Sequence, residues 1–400
     1  MKNLFKLELN QMKNSKENYA TELFSKENTM KIHKFHQSMG DSYNVTPLVR
    51  LKELSNHLGL QDIFVKDESL RGNLKAFKLL GGAYSVAKSI CKKLSIDISE
   101  VDFDYLKSNE VKNKLGDLTF AAASDGNHGK SVAWAANEFN QSCIVYMPKG
   151  TVQDRVTAIE ELGSEVIVTN MNYDGCVSEV NKLGSSKGWE VILDTASEGD
   201  KEVASWVMQG YATMTYEAIS QMNSMAIKPT HIFVQAGVGS LAASVMGVVL
   251  NYYSEVPKLY TLEPHQANCF YLSGLANDGL ARSVEGDMES ISAGLSCGVP
   301  NPISWELIRN FADGFISCDD LLAANGMRIL GNPLKGDMAI TSGESGSIGT
   351  GFIDYVMKNK ELRKKFDLDA SSTVLLFSTE GDTDRVNYRD IVWYGKVNSK

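Results

Sequence analysis

No two cysteines of this 400-residue chain stand at Cys-x-x-Cys spacing; the six, Cys91, Cys143, Cys176, Cys269, Cys297 and Cys318, are scattered along it. A chain of this length needs no disulfide staples, so the scatter reads as a reduced, cytosolic protein. Whether Cys269 and Cys297 meet in the fold is left open. Histidine is scarce, with six residues. His33 and His36 form a His-x-x-His pair, but no third partner stands at zinc-ligand spacing, so no metal site is expected. Basic charge is in deficit, 40 Lys and Arg against 49 Asp and Glu for a net charge of −9, which excludes a general nucleic-acid surface. The apolar run from Leu241 to Leu250 is far too short to span a bilayer. Residues Met1 to Glu8 lack the apolar core of a signal peptide. Internal repeats and low-complexity tracts are also missing.

What is present is an ordinary globular balance, with 43% hydrophobic residues, and a length that suggests two domains or one large one. Apolar, β-prone runs recur at Ile63–Val65, Thr119–Ala123, Cys143–Met147, Glu165–Thr169, Val191–Leu193, His231–Gln235, Leu259–Glu263 and Val374–Phe377. Helix-length gaps between them predict βα units, a parallel sheet and an α/β fold. The runs are continuously apolar rather than alternating, as strands covered on both faces require. Helical spacing predicts a helix over 130–139 and another near 27–37. The polar stretch from Val101 to Asp117 reads as a surface excursion or a short linker.

In an open parallel sheet, ligands bind beyond the carboxyl ends of the strands. Three glycine-containing turns follow predicted strands: Ser124-Asp125-Gly126-Asn127-His128-Gly129, Ala236-Gly237-Val238-Gly239-Ser240 and Ser378-Thr379-Glu380-Gly381-Asp382. In the second, two glycines let backbone amides converge and the following helix adds its N-terminal dipole, which suits a phosphate. It lacks the third glycine of a dinucleotide turn and the Lys-Ser of a P-loop, and a bare βα turn would look the same. The first turn offers N–H groups to a carboxylate, although Asp125 or Asn127 would serve equally as plain N-caps. Lys78 stands in Ala76-Phe77-Lys78-Leu79-Leu80-Gly81-Gly82-Ala83. A lone lysine is ordinarily a solvated side chain. An apolar surround can lower its usual pKa of about 10.4 and make it a nucleophile. An imine-forming amine, a carboxylate turn and a phosphate turn together are the requirements of pyridoxal phosphate chemistry.

In this order the motifs resemble those of the fold-type-II pyridoxal-phosphate enzymes, the group of threonine dehydratase, serine racemase and the tryptophan synthase β chain. The likeness covers most of the chain, from Thr46-Pro47-Leu48-Val49-Arg50-Leu51 through Lys66-Asp67-Glu68, Phe77-Lys78, residues 124–129 and 237–239 to Phe377-Ser378-Thr379-Glu380-Gly381-Asp382. Within the group the chain is most similar to the diaminopropionate ammonia-lyases. That similarity lies in residues 76–84 and 124–129, Asp194-Thr195-Ala196, and residues 208–213, 293–298, 342–346 and 378–384.

The resemblance implies two open, mostly parallel twisted sheets with flanking helices. The large cofactor-binding domain would comprise 1–87 and 176–400, and the small domain 88–175. Pyridoxal 5'-phosphate would be held as an imine on Lys78. Asn127 would meet its ring hydroxyl, Gly237, Val238, Gly239 and Ser240 its phosphate, and Ser378 or Thr379 its pyridine nitrogen. Ser124, Asp125, Gly126, His128 and Ser342 would face the substrate. The implied reaction is α,β-elimination of 2,3-diaminopropionate, D or L, to pyruvate and two ammonia, in a cytoplasmic homodimer. Many fold-type-II enzymes carry a small residue where Asp125 stands; an acid there is unfavourable unless used. By resemblance, Asp125 removes the α-proton of the D form and Asp194 that of the L form, although Asp194 alone would pass for a helix cap. The chain departs from the family pattern at Ser197, where an aromatic is usual. A serine or threonine dehydratase is the nearest alternative, and Asp125 argues against it because a hydroxyl leaving group has no need of that acid. A dinucleotide-dependent oxidoreductase is weaker, for want of the third glycine and an acidic ribose partner.

Overall fold

The computed structural model describes residues 4–14, 19–124, 126–196 and 201–397. Asp125 and Ser197 lie outside the described residues.

Eleven strands among the described residues form two sheets. They are β1 (Phe5–Leu9), β2 (Leu48–Arg50), β3 (Asp62–Asp67), β4 (Thr119–Ala123), β5 (Ser142–Met147), β6 (Glu165–Val168), β7 (Glu190–Val191), β8 (His231–Gln235), β9 (Lys258–Pro264), β10 (Gly314–Cys318) and β11 (Thr373–Ser378). The larger sheet has the order β1-β10-β9-β8-β11-β3-β2 and the smaller β6-β5-β4-β7. Every pairing is parallel except at the two edges of the larger sheet, where β1 runs against β10 and β2 against β3. The fold is α/β with two mostly parallel sheets and flanking helices.

The continuous apolar runs have the expected cause. In β8, Ile232 and Val234 join one hydrophobic cluster and Phe233 the other. In β11, Leu375 and Phe377 face one side, Val374 and Leu376 the opposite one. Alternate side chains point to opposite faces, so a strand buried on both faces favours apolar residues throughout and admits polar ones only where they find partners. The predicted helix at 27–37 forms as Lys26–Gln37, and that at 130–139 as Asn127–Glu138. Residues 101–117 are more ordered than a linker. They form helices Phe103–Lys107 and Asn109–Leu115, each begun by a side-chain cap, from Asp102 and Ser108.

The smaller sheet runs from β4 to β7, residues 119–191. Residue 175 lies inside helix Tyr173–Lys187, so we propose that the small domain reaches the end of β7, beyond the 175 boundary that resemblance implies.

Three further strands complete the larger sheet: β1, β2 and β10. β11, from the far end of the chain, is inserted between β8 and β3. This brings the turns after β8 and β11 side by side.

The Gly81-Gly82 pair sets how closely the helices pack. Helix Lys78–Leu94 lies against helices Asn127–Glu138 and Glu202–Ser224. A Cβ on Gly81 would stand 2.3 Å from the ring of Tyr211, and one on Gly82 2.4 Å from Ser131 Oγ. The early Lys66-Asp67-Glu68 motif is also structural. Lys66 Nζ donates to Glu217 at 2.6 Å, and Arg71 donates to Glu217 and to Glu68, all four side chains being buried. Thr46 Oγ1 donates to Glu68 at 2.6 Å and completes the network.

Candidate active site

A cavity lies beyond the carboxyl ends of β8 and β11. Phe77, Lys78, Asn127, Asp194, residues 237–240 and Thr379 line it. Residues as distant in sequence as Asn127 and Thr379 thus share one space.

Lys78 begins helix Lys78–Leu94, directly after a segment pinned to the turn that follows β11. Phe77 N donates to Thr379 O and Gly381 N to Lys75 O, both at 3.0 Å. Lys75 holds a left-handed φ of +56° to make this connection, a conformation uncommon for a residue with a side chain. The Lys78 amine reaches Asp194 Oδ2 at 2.9 Å, and Tyr173 Oη donates to Asp194 Oδ1 at 2.6 Å. Burial alone would raise the Asp194 carboxyl. The charge of Lys78, with His128 and the Tyr173 hydroxyl, outweighs burial and holds Asp194 well below the usual carboxylate range. Asp194 is therefore an ionised, buried carboxylate beside the candidate nucleophile.

The 237–240 turn has the geometry to hold a compact anion. Gly239 has a φ of +92°, and a Cβ there would come within 2.3 Å of the Phe270 ring. A Cβ on Gly237 would approach Gly294 O at 3.2 Å. Gly239 excludes a side chain and Gly237 leaves little room for one, and the 13-residue helix Ser240–Tyr252 places its N-terminus at the cavity. Ser240 Oγ donates to the Asp194 backbone carbonyl at 2.6 Å and so ties this turn to the acid.

Other residues of the sequence reading take different places. Ser124 Oγ accepts the amides of Gly126 and Gly129 at 2.9 and 2.7 Å, which braces the 124–129 turn from within. His128 is buried, with Nε2 on the carbonyl of Ile192 at 2.9 Å. Gly126 borders a neighbouring cavity shared with Asn127, Lys130 and Arg155. Ser342 and Ser378 are fully buried and do not line the central cavity. All six cysteines are free thiols and buried, Cys269 and Cys297 included. No group of three His, Cys, Asp or Glu among the described residues could hold a metal ion.

Tyr173, Tyr211, Gln235 and Glu380 line the cavity without having been singled out in the sequence. Gln235 and Glu380 stood within motifs already noted, at the ends of strands. Tyr211 stood in the 208–213 stretch that carries the family likeness, whereas Tyr173, on another helix, carried no local signal. The Tyr211 hydroxyl is buried with no partner among the described residues, so a bound molecule would satisfy it. A lysine, a cradle closed to side chains and an unmatched hydroxyl fit pyridoxal phosphate.

Comparison with known proteins agrees. Residues 40–349 match the family described as pyridoxal-phosphate dependent enzyme. The chain is 47% identical over 380 residues to diaminopropionate ammonia-lyase of Escherichia coli (strain K12), covering 94% of this chain and 93% of the relative. The crystal structure of the Escherichia coli diaminopropionate ammonia lyase in complex with D-serine matches with a TM-score of 0.91 at 44% identity, over 98% of this chain and 97% of the other. Threonine deaminase isoform 2 from Solanum lycopersicum shares the fold alone, with a TM-score of 0.73 at 17% identity over 98% of each chain. Matched along nearly its whole length and folded around a lysine-bearing cavity of the right kind, the chain belongs to the pyridoxal-phosphate-dependent enzymes and, within them, to the diaminopropionate ammonia-lyase family.

Proposed function

We propose that the protein eliminates ammonia from 2,3-diaminopropionate, leaving a product that hydrolyses to pyruvate and a second ammonia. The observation that carries this reading is Asp194, held between Lys78 and Tyr173 inside the cavity. Bound pyridoxal phosphate supplies an electron sink for the negative charge that develops at the substrate α-carbon. Lys78 anchors it, the 237–240 turn and its helix receive the phosphate, Asn127 meets the ring hydroxyl and Thr379 the ring nitrogen. Thr379 is favoured over Ser378 because it borders the cavity.

Asp194 takes the α-proton of the L substrate. Its proton affinity is low while the Lys78 ammonium stands beside it. Once the lysine is engaged elsewhere and that charge is lost, the carboxylate becomes a stronger base without moving. Tyr173 keeps its other oxygen in place. Asp125 serves the D substrate from the 124–129 turn, whose braced backbone, with His128 alongside, receives the substrate carboxylate. Ser342, buried with its Oγ donating to Gly343 O at 3.2 Å, lies outside the cavity lining and is given no substrate contact. The enzyme acts in the cytoplasm, a reading supported by six buried cysteines that form no disulfide, and as a homodimer, which sedimentation of the purified protein tests. Among the described residues no helix is long and apolar enough to cross a membrane.

The test begins with the absorption spectrum. A band at roughly 410 nm, as cofactor–lysine adducts show, should be present in the parent and absent in Lys78→Ala. Pyruvate release from each enantiomer is then measured for Asp125→Asn and Asp194→Asn, with L-serine as the competing substrate. Loss of the D reaction in the first variant and the L reaction in the second is expected. Faster turnover of serine than of diaminopropionate would overturn the substrate; full D activity in Asp125→Asn would overturn the division between the two acids.

A further inference from the structure

Glu380 lies inside the cavity wall, buried, and has no part in the reaction as described above. Its setting is built rather than incidental. Thr379 Oγ1 donates to Glu380 Oε2 at 2.8 Å, and the amide of Gly346 donates to Oε1 at 3.0 Å. Gln235 Nε2 donates to Thr379 Oγ1 at 3.0 Å. Gly343 makes room, since a Cβ there would fall 2.8 Å from Glu380 Cγ. The Glu380 backbone pairs with Ala76, two residues before Lys78. Gln235, Thr379 and Glu380 therefore form one hydrogen-bonded row along the cavity.

A hydroxyl has one hydrogen and two lone pairs. Gln235 occupies one lone pair of Thr379. If Glu380 is ionised, the hydroxyl hydrogen points to it and a lone pair faces the cavity. If Glu380 is protonated, its own O–H fills that second lone pair, and the Thr379 hydrogen is released to the cavity. We propose that Glu380 is a positioning residue for the ring-nitrogen end of the bound cofactor, which sets whether Thr379 presents a hydrogen or a lone pair to that nitrogen. This rests on the reading that Lys78 and the 237–240 turn hold pyridoxal phosphate with Thr379 at its ring nitrogen. One proton is then shared across the hydroxyl. As it leaves Glu380 Oε2 for Thr379 Oγ1, the Thr379 hydrogen passes to the ring nitrogen; the carboxyl becomes a carboxylate and the ring nitrogen a cation, with no change in electron count.

Both protonation states are accessible near neutrality. Burial raises the Glu380 carboxyl to about 7; Glu344 beside it adds to the rise, while the Thr379 hydroxyl, the Gly346 amide and Arg155 oppose it. The consequence for catalysis is control of the electron sink, because a ring nitrogen that carries a proton withdraws charge more strongly.

The test uses holoenzyme reconstituted with ring-15N pyridoxal phosphate and reads the nitrogen chemical shift in the resting enzyme. Glu380→Gln and Thr379→Val should both move the resonance toward the unprotonated value, Thr379→Ser should restore the parent position, and Ser378→Ala should leave it in place. A parent shift that follows pH near neutrality should lose that dependence in Glu380→Gln. An unmoved resonance in Glu380→Gln overturns the proposal, as does movement in Ser378→Ala with none in Thr379→Val. Failure of the parent to form its Lys78-dependent absorption band would instead refute the underlying cofactor reading.

Discussion

Asp194 shows how two neighbours determine what one residue can do. The Lys78 ammonium and the Tyr173 hydroxyl hold it ionised against the effect of burial. Tyr173→Phe removes a hydrogen bond to a charged acceptor, worth about 1.5–3 kcal/mol. The expected outcome is a fall in kcat of roughly tenfold or more with a smaller change in KM. Without the donor the Asp194 pKa rises, so the acidic limb of the kcat profile for the L substrate moves to higher pH; steady-state kinetics across pH checks both. Tyr211 offers a second case. Its hydroxyl is unmatched while its ring packs on Phe77, with centroids 4.6 Å apart. Tyr211→Phe therefore keeps the packing and isolates the hydroxyl. Weaker cofactor or substrate binding with an unchanged melting temperature is expected, by fluorescence titration and thermal melts.

Among the elements, helix Lys78–Leu94 depends on its two glycines. Gly81→Ala would ordinarily strengthen a helix by about 1 kcal/mol, but the new methyl would overlap the Tyr211 ring at 2.3 Å. Overpacking of this kind costs about 1–3 kcal/mol. A net loss of stability in urea, with activity reduced by displacement of Lys78, is the expected result. Helix Cys269–Ala276 is held differently, through Glu263, whose carboxylate oxygens accept the amides of Phe270 and Tyr271 at 2.8 Å each. Burial pushes the Glu263 carboxyl up from 4.5 to about 8. The folded state then binds this proton more tightly than the unfolded chain does. Its contribution to stability is complete below about pH 4.5 and is lost as pH rises through about 8. Thermal melts of Glu263→Gln should show a flatter decline across that window than the parent.

At the scale of the molecule, the ion network of Lys66, Glu68, Arg71 and Glu217 links β3 and the turn after it to helix Glu202–Ser224. Glu217→Ala leaves two cations buried without that partner, a loss of about 3–5 kcal/mol, visible as a lower urea midpoint. Such a network also fixes which helix face meets the sheet. Tyr211 lies on the same helix, six residues before Glu217 in the sequence, so the ion pairs and the cavity wall are positioned together.

Much of this was written in the chain locally. The two-faced strands, the glycine turns at their ends and the order of the motifs around Lys78 are legible because each depends on near neighbours. β2 escaped because it has only three residues, and β1 holds its edge place only by pairing with β10 across some three hundred residues, which no local pattern records. The site divides in the same way. Lys78, Asn127 and the 237–240 turn could be read from spacing. Tyr173, by contrast, sits on a helix with no motif, and Tyr211 stood in the 208–213 stretch with no role of its own assigned; what each does follows only from what the fold places opposite it. Ser378 and Thr379 were equal in the sequence; the end of β11 decided which of them borders the cavity. Local chemistry and backbone demand are properties of adjacent residues and so are fixed by the sequence itself. Convergence, and with it the protonation of Asp194 and Glu380, depends on burial and on partners far away in the chain, and only the tertiary structure supplies those.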